Sequence, residues 1–152
     1  MKKIILAAGC FWSVQYKLDN LKGVISTKAV YANGHIPDAS YNQVCSGETG
    51  HAEAVLVNYD ESVLPIKDLL LFFFQIHNAT QLNKQGPDIG EQYRSGIFCF
   101  EEEQCHVAMK IIEELNSQAK YKDKKIVTVV EPVSMFNEAE EYHQQYYRKK
   151  GF

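Results

Sequence analysis

The residue best suited to chemistry is Cys10, which is followed by two large aromatic rings, Phe11 and Trp12. A cysteine thiolate is a strong nucleophile, and an apolar wall beside it suits a small substrate with an apolar group next to an electrophilic centre. Residues 4–8 form a short apolar run, and residues 11–21 show helical spacing. This pattern predicts a strand, a tight turn and a helix, with Cys10 at or just inside the helix start.

A carboxyl group and hydrogen-bond donors accompany the cysteine. Glu53 lies near the start of residues 51–59, where a period of two predicts a strand, while Tyr41, Asp88 and Tyr93 follow or lie in long polar segments. Such residues give a nucleophile an acid and hydrogen-bond donors. Each also fits a structural role, as a strand residue, a packed tyrosine or a turn-forming aspartate. A cysteine after an apolar run is also often a small buried hydrophobe.

An acid catalyst at position 53 has a physical requirement. The helix dipole stabilises a thiolate at Cys10 by only ~0.3–1 kcal/mol, so neighbouring groups are also needed to activate this nucleophile. A free glutamate with a pKa near 4.3 is protonated in only ~0.2% of molecules at pH 7. The pKa of Glu53 must therefore rise by roughly 2–3 pH units, which requires burial. We expect Glu53 to be buried near Cys10, Phe11 and Trp12.

Strand and helix patterns alternate along the chain and predict how these residues are positioned. Strands are expected at 4–8, 24–32, 51–59, 93–100 and 126–130, and helices at 11–21, from Pro65 onward, at 101–120 and at 137–147, where Glu140 is expected to complete a capping box. The polar segments 33–49 and 78–92 are expected to be long loops. The order predicts one α+β domain over residues 1–152, built as a sandwich.

Composition excludes several classes of function. The 152 residues carry a net charge of −3, which is not the basic footprint of a nucleic-acid binder. No segment reaches the ~18–20 apolar residues of a membrane span, and the apolar run before Cys10 is shorter than the ~7–15 residues of a secretory signal. The four cysteines form no CxxC pair, and His51 and His77 show no paired ligand spacing, so no metal site is expected. Reduced thiols and a cytoplasmic location are the default expectation.

Four segments of the chain stand out together: residues 9–12 (GCFW), 44–53 (VCSGETGHAE), 85–95 (QGPDIGEQYRS) and 139–146 (AEEYHQQY). These segments resemble motifs of the methionine sulfoxide reductase A family. Their joint occurrence, in order over residues 4–147, is far more specific than any one of them. The resemblance implies a ferredoxin-like two-layer α+β sandwich with a mixed central sheet. It also implies reduction of the S epimer of methionine sulfoxide, free or in peptides and proteins, and thereby repair of oxidised proteins.

The resemblance assigns a role to each candidate residue. Cys10 would attack the sulfoxide sulfur and become a sulfenic acid, while Glu53 would protonate the sulfoxide oxygen. The remaining assignments are substrate-binding ones: hydrogen bonds to that oxygen from Tyr41 and Tyr93, an S-methyl pocket from Phe11 and Trp12, and support of the site by Asp88. No metal and no cofactor other than an external thiol reductant is implied.

Regeneration of the sulfenic acid leaves alternatives open. Many family members use a cysteine in a C-terminal tail, whereas no cysteine follows Cys105 here. Cys45 and Cys105 are candidate resolving residues if they approach Cys10 to about 4.4–6.8 Å between Cα atoms, and Cys99 is expected to be buried and inert. We favour direct reduction by glutathione with glutaredoxin, or by thioredoxin, because resolution needs a nearby thiolate.

Two other classes of function fit the sequence. A Cys-His hydrolase or acyl transferase would pair Cys10 with His51 or His77 within hydrogen-bond reach, although no protease signature surrounds Cys10. A redox sensor would oxidise Cys10 without turnover and would place a second cysteine nearby.

Overall fold

A mixed β-sheet of six strands lies at the centre of the structure, a computed structural model that describes residues 1–152. The strands are β1 (Lys2–Ala8), β2 (Val24–Ala32), β3 (Ala52–Tyr59), β4 (Lys84–Gln85), β5 (Asp88–Ile89), β6 (Ser95–Cys99), β7 (Val129–Pro132) and β8 (Phe136–Glu138). The helices are α1 (Phe11–Asp19), α2 (Tyr41–Cys45), α3 (Ile66–Gln75), α4 (Glu102–Asn116) and α5 (Tyr146–Lys149). Short 3-10 helices occur at Glu91–Tyr93, Ala119–Tyr121 and Glu141–His143.

The strand order brings the two main candidate residues to one end of the sheet. The order is β7-β6-β1-β3-β2-β8, with β6 and β7 parallel and all other neighbours antiparallel, while β4 and β5 form a separate hairpin. Leu6 stands opposite Val55, so the end of β1 lies beside the start of β3. Because Cys10 follows β1 and Glu53 begins β3, the antiparallel pairing brings these two residues close together.

The two faces of the sheet differ in what covers them. Val55, Val57 and Tyr59 belong to the larger core, which α1, α3 and α4 complete with apolar side chains. Ala52 and Ala54 point to the opposite face and belong to a smaller apolar cluster. Since successive strand residues alternate between faces, Glu53 lies on the same face as Val55, under the start of α1.

The elements predicted for the first half of the chain are confirmed, whereas the prediction of a C-terminal helix is wrong. Strand β2 has the predicted limits, and α1, β3 and α3 begin within one residue of theirs. The predicted helix 137–147 is instead an edge strand, a 3-10 helix and the short α5. Asn137 pairs with Tyr31 on the edge of β2, and the carboxylate of Glu140 accepts hydrogen bonds from Tyr31 and Tyr41 instead of capping a helix. These tertiary contacts outweigh the local helical pattern.

Two smaller differences concern the loop 33–49 and the last long strand. The loop contains α2, whose start is fixed by a capping box between Ser40 and Gln43. Strand β7 was predicted at 126–130 but covers Val129–Pro132, so it begins three residues later and includes Pro132, which the sequence pattern placed after the strand. Pro132 is tolerated because β7 is an edge strand, where a missing N–H donor costs no inter-strand hydrogen bond.

Cys99 and Cys105 form a disulfide with their Cα atoms 5.8 Å apart. Cys99 is buried, as expected, but the expectation that all four thiols are reduced is wrong. The two cysteines meet because Cys99 ends β6, Cys105 lies in the first turn of α4, and the chain reverses direction between these two elements. Ile4 stands opposite Cys99, at the end of β1 remote from Cys10. At ~3.3 Å per residue, the rest of β1 alone separates the disulfide from Cys10 by roughly 13 Å, so Cys105 is not positioned to resolve Cys10.

None of the helices combines the length and the apolar character that crossing a bilayer requires.

Candidate active site

Cys10 occupies the N-cap position of α1, as the sequence predicts, with φ −57° and ψ 123°. The preceding Gly9 has φ +98°, a conformation that L side chains rarely adopt. A Cβ atom at this glycine would come within 2.9 Å of the Gln85 side chain. The glycine therefore permits both the sharp turn into α1 and the close approach of the β4–β5 hairpin.

The Cys10 thiol is protonated in the resting structure. Burial, together with the charges of Glu53 and Asp88, raises its pKa to about 11. The backbone N–H groups of Trp12 and Ser13, at the start of α1, favour the thiolate but do not overcome burial. This result agrees with the small size of the helix-dipole effect. The nucleophile therefore has to lose a proton during the reaction.

Glu53 is buried beside the start of α1, which confirms the expectation about its environment. It is 1% exposed, and its Oε1 accepts a hydrogen bond of 3.4 Å from the backbone N–H of Phe11. Burial raises its pKa from 4.5 to about 7, although the donors Phe11 and Gln92 oppose the rise. A carboxyl group with this pKa exists in both protonation states near neutral pH, as a general acid requires.

Gln92 is a residue of the site that the sequence reasoning missed. Its amide nitrogen lies 3.3 Å from Oε2 of Glu53 and 3.4 Å from the sulfur of Cys45. It follows Glu91 in the 3-10 helix that also carries Tyr93. Its place inside the segment 85–95 was the available signal. Through Gln92, the carboxyl group and a second free cysteine belong to one hydrogen-bonded cluster.

Tyr93 and Asp88 lie close to the two reactive groups. Burial raises the pKa of Tyr93 to about 12, and the nearby charges of Glu53 and Asp88 act in the same direction. Asp88 belongs to the β4–β5 hairpin, opposite Gln85. Both residues are half-buried. The structure thus brings these two predicted residues to the site.

Tyr41 is positioned by Glu140, a contact that the sequence did not reveal. The backbone N–H of Tyr41 donates to Oε2 of Glu140 over 2.9 Å, and Tyr31 donates to Oε1 over 2.8 Å. Contact of the Tyr41 hydroxyl with the Cys45 thiol and burial raise the Tyr41 pKa. The hydroxyl group is therefore a donor at neutral pH, beside Cys45.

The aromatic pair that follows Cys10 divides into two roles. Phe11 is 1% exposed, with its ring between Tyr31 and His143. Trp12 keeps accessible surface, stacks on Tyr146 at 3.7 Å, and donates its indole N–H to Nδ1 of His143 at 2.9 Å. Trp12 is therefore the accessible ring of the pair, and Phe11 is buried in the core.

Comparison with known proteins decides the family. The family model described as peptide methionine sulfoxide reductase matches residues 2–151. A peptide methionine sulfoxide reductase MsrA from Clostridium botulinum is 49% identical over 98% of this chain and 93% of its own length. Mxr1 from Saccharomyces cerevisiae in reduced form has a TM-score of 0.90 at 41% identity, covering 99% of this chain and 87% of that one. The same yeast protein in complex with Trx2 has a TM-score of 0.65 at 29% identity, with 95% and 84% coverage.

The chain belongs to the peptide methionine sulfoxide reductase family.

In this member of the reductase family, neither candidate imidazole is available to Cys10. The Nδ1 of His51 accepts the N–H of Gly34, and its Nε2 lies 2.7 Å from the carbonyl of Ile36. The ring of His77 is engaged by Phe73 and Ser95. A Cys-His hydrolase needs an imidazole that faces the sulfur. The geometry therefore does not support a hydrolase.

The reactive groups of this reductase lie outside the cavity beside the end of α3. That cavity, of about 650 Å³, is lined by residues that include His77, Asn78 and Lys120, and Cys10 is not among them. Cys10 and Trp12 instead lie at an accessible surface at the end of the sheet. An open site of this kind can receive a side chain that is presented on a peptide.

Proposed function

We propose that this chain reduces the S epimer of methionine sulfoxide, free and in peptides or proteins, and thereby repairs oxidised proteins. Membership of the peptide methionine sulfoxide reductase family supports the reaction. The observation that carries the proposal is the pairing of Cys10, at the start of α1, with a buried Glu53 whose pKa is raised to about 7. A nucleophile and a neutral carboxylic acid on the same face are what sulfoxide reduction needs.

The proposed reaction balances with the groups of the chain and one substrate. Glu53 donates a proton to the sulfoxide oxygen while the sulfur of Cys10 attacks the sulfoxide sulfur. The thiol proton of Cys10 replaces the proton that Glu53 gives up. The oxygen leaves as a sulfenic acid on Cys10, and the substrate sulfur gains two electrons to become a thioether. Because the electrons come from a thiol, we propose that no metal or organic cofactor takes part.

Substrate binding is proposed to use the groups around these two residues. Tyr41 and Tyr93 stay protonated at neutral pH, since their pKa values are raised, and both can donate hydrogen bonds to the sulfoxide oxygen. Trp12 forms the apolar wall for the S-methyl group, backed by Phe11. Asp88 supports the site from the β4–β5 hairpin, where its charge acts on Cys10, Glu53 and Tyr93.

An external thiol is proposed to regenerate Cys10. Two thiols convert the sulfenic acid to a thiol, with one disulfide and one water as products. Thioredoxin is the reductant best supported, because the similar protein Mxr1 is known in complex with Trx2. Glutathione with glutaredoxin is the other candidate. Among the other cysteines of the chain, only Cys45 is both free and in contact with the site, through Gln92.

A single turnover without reductant tests the proposal. The protein is mixed with each pure epimer, and the methionine released and the thiols lost are counted. We expect about one methionine per chain from the S epimer alone, none from the R epimer, and none from Cys10→Ser. Loss of one thiol supports direct reduction, whereas loss of two that falls to one in Cys45→Ser identifies a Cys10–Cys45 disulfide. No methionine from either epimer would overturn the proposal.

A thiol-based redox sensor is the second candidate, favoured by the contact of Cys45 with Gln92 and Tyr41 in the same site. Sensor cysteines are often accompanied by a resolving partner. In a sensor, Cys10 would be oxidised without reducing methionine sulfoxide, so no methionine would be released even with a thiol reductant present. Repeated turnover with thioredoxin or glutathione present would exclude it.

Three broader assignments belong to the same proposal. The catalytic unit is residues 1–152, because Trp12 near one end of the chain is held by His143 near the other. The four strands β6-β1-β3-β2 and the order β-α-β-β-α-β support a ferredoxin-like arrangement. The thiol chemistry of Cys10 fits a reducing compartment such as the cytoplasm.

A further inference from the structure

His143 is completely enclosed at the centre of an aromatic cluster next to the nucleophile. It is 1% exposed, and its ring centre lies 4.3–5.7 Å from those of four aromatic side chains. These side chains are Phe11 and Trp12 of α1, Tyr41 of α2, and Tyr142 of the 3-10 helix that carries His143 itself. Three segments that are distant in sequence therefore meet on this imidazole.

The hydrogen bond from Trp12 fixes the protonation state of this imidazole. An indole N–H can only donate, so Nδ1 of His143 must be the acceptor of the 2.9 Å bond. The remaining proton of the neutral ring is then on Nε2. This Nε2 atom is buried and has no hydrogen-bond partner.

The unpartnered Nε2 group indicates what the imidazole is for. An apolar ring would fill the same space without a buried donor, which is normally avoided in protein interiors. What only an acceptor at this position provides is a partner for the indole N–H of Trp12. The other face of Trp12 stacks on Tyr146, with the ring centres 3.7 Å apart and the planes 8° apart. Trp12 is thus held by a stacking contact and by one directional hydrogen bond.

We infer that His143, in its neutral form, is a positioning residue for catalysis that holds Trp12 in the orientation needed to receive the S-methyl group. The inference rests on the proposed function. His143 does not touch the reacting atoms and acts through Trp12. When His143 gains a proton on Nδ1, the ring becomes a donor at both nitrogens, and Trp12 loses its acceptor.

The surroundings of His143 keep the neutral form over most of the pH range. Burial lowers the pKa of His143, and the charge of Glu140 opposes this effect. The other titratable groups that face the ring are the phenols of Tyr41 and Tyr142, which stay neutral well above neutral pH because their pKa values are raised. Glu140 is therefore the one charged group against the ring, and protonation of His143 is expected only in acid.

Two substitutions separate positioning from packing. His143→Phe keeps a ring of similar size but removes the acceptor, whereas the side-chain oxygen of His143→Asn can replace Nδ1. Trp12 is the only tryptophan of the chain, so the tryptophan fluorescence of the protein reports on the surroundings of Trp12 alone. His106→Asn is the matched control, because His106 is exposed on α4 and its Nε2 contacts only Glu102 there.

The experiment measures kcat and KM for the S epimer with excess dithiothreitol, together with Trp12 emission from pH 4 to pH 8 and thermal unfolding. We expect His143→Phe to lower kcat/KM by roughly 10- to 100-fold, as small misplacements near a reacting centre do, and to shift Trp12 emission at neutral pH. His143→Asn should restore most of both. The wild-type protein should show an acid transition in emission that both variants lack and that His106→Asn keeps.

The outcomes distinguish the inference from the proposed function. Unchanged kcat/KM and emission in His143→Phe would overturn the positioning role. Equal losses in His143→Phe and His143→Asn that follow a shared drop in thermal stability would show a packing role only, and would also overturn it. If wild-type protein releases no methionine, the proposed function fails. The emission measurements would then still decide whether His143 holds Trp12.

Discussion

The backbone N–H of Phe11 donates to Oε1 of Glu53 across 3.4 Å, so the residue that follows the nucleophile is bonded to the proposed acid. This N–H group is one of the donors left without a partner at the start of a helix. The helix end that carries Cys10 therefore also holds Glu53. The bond favours the carboxylate, yet burial outweighs it and the pKa of Glu53 stays near 7. This one backbone N–H therefore positions the acid and limits the rise of its pKa.

Replacing Glu53 with Gln should slow the release of methionine in a single turnover by roughly 10²- to 10⁴-fold, the usual contribution of a general acid. Glutamine keeps the size of the side chain and can still accept the N–H of Phe11, so the fold should be retained. Rapid-quench measurements with the S epimer give the rate. Glu48→Gln is the control, because Glu48 is exposed in the preceding loop, and its rate should be unchanged. A Glu53→Gln rate close to that of the wild type would remove the acid role.

The raised pKa of Glu53 also predicts how stability depends on pH. Between pH 4.5 and about 7 the folded protein keeps a proton on Glu53 that the unfolded chain releases. The free energy of unfolding therefore falls as pH rises through this window. Above pH 7, the ionisation of Glu53 lowers the free energy of unfolding by about 3 kcal/mol relative to its value below pH 4.5. Glu53→Gln lacks this cost, so urea unfolding should find it equal to wild type near pH 4 and more stable at pH 8. An equal difference at both pH values would contradict the raised pKa.

How much of this site can be predicted from one sequence depends on how far apart along the chain the contacting residues lie. The positions of Cys10 and Glu53 follow from local patterns, because a strand, a turn and a helix place one and a strand start places the other. The bonds from Gln92 to Glu53 and from Trp12 to His143 join residues 39 and 131 positions apart. No local pattern encodes such pairs. The same holds for Glu140, whose partners on β2 and α2 turned an expected helix start into an anchor for Tyr41.

Cys10 should react slowly with an alkylating agent in the absence of substrate. With a pKa of about 11, only about 0.01% of the thiol is ionised at pH 7, and the thiolate is the reactive form. The charges of Glu53 and Asp88 contribute to the high pKa of Cys10. Cys10 should therefore react faster with iodoacetamide in the variants Glu53→Gln and Asp88→Asn than in the wild type. Mass spectrometry of the peptide containing Cys10 measures the rate, with Cys45 as the internal reference. Equal Cys10 rates in all three proteins would show that these charges do not act on the sulfur.

The disulfide between Cys99 and Cys105 should contribute to stability and not to turnover. It closes a loop of only six residues along the chain, so the chain-entropy model gives roughly 2 kcal/mol. Cys105→Ala should lower the thermal midpoint under oxidising conditions and match the wild type in dithiothreitol. Single-turnover yield should be unaffected, since the pair lies at the remote end of β1. A lower yield in Cys105→Ala with an unchanged fold would instead connect this pair to the catalytic cysteine.

Gln92 offers the most direct test of how the acid is held. Its amide donates to Oε2 of Glu53 and thereby lowers the pKa of that carboxyl. Gln92→Leu should raise the pKa of Glu53 further, which carbon-13 NMR of the carboxyl group measures. It should also slow methionine release, because Glu53 loses one of its two donors. Gln75→Leu, at the exposed end of α3, should change neither quantity. If Gln92→Leu slowed the reaction without moving the pKa, Gln92 would act through its other partner, Cys45, and its amide would not contribute to the proton affinity of Glu53.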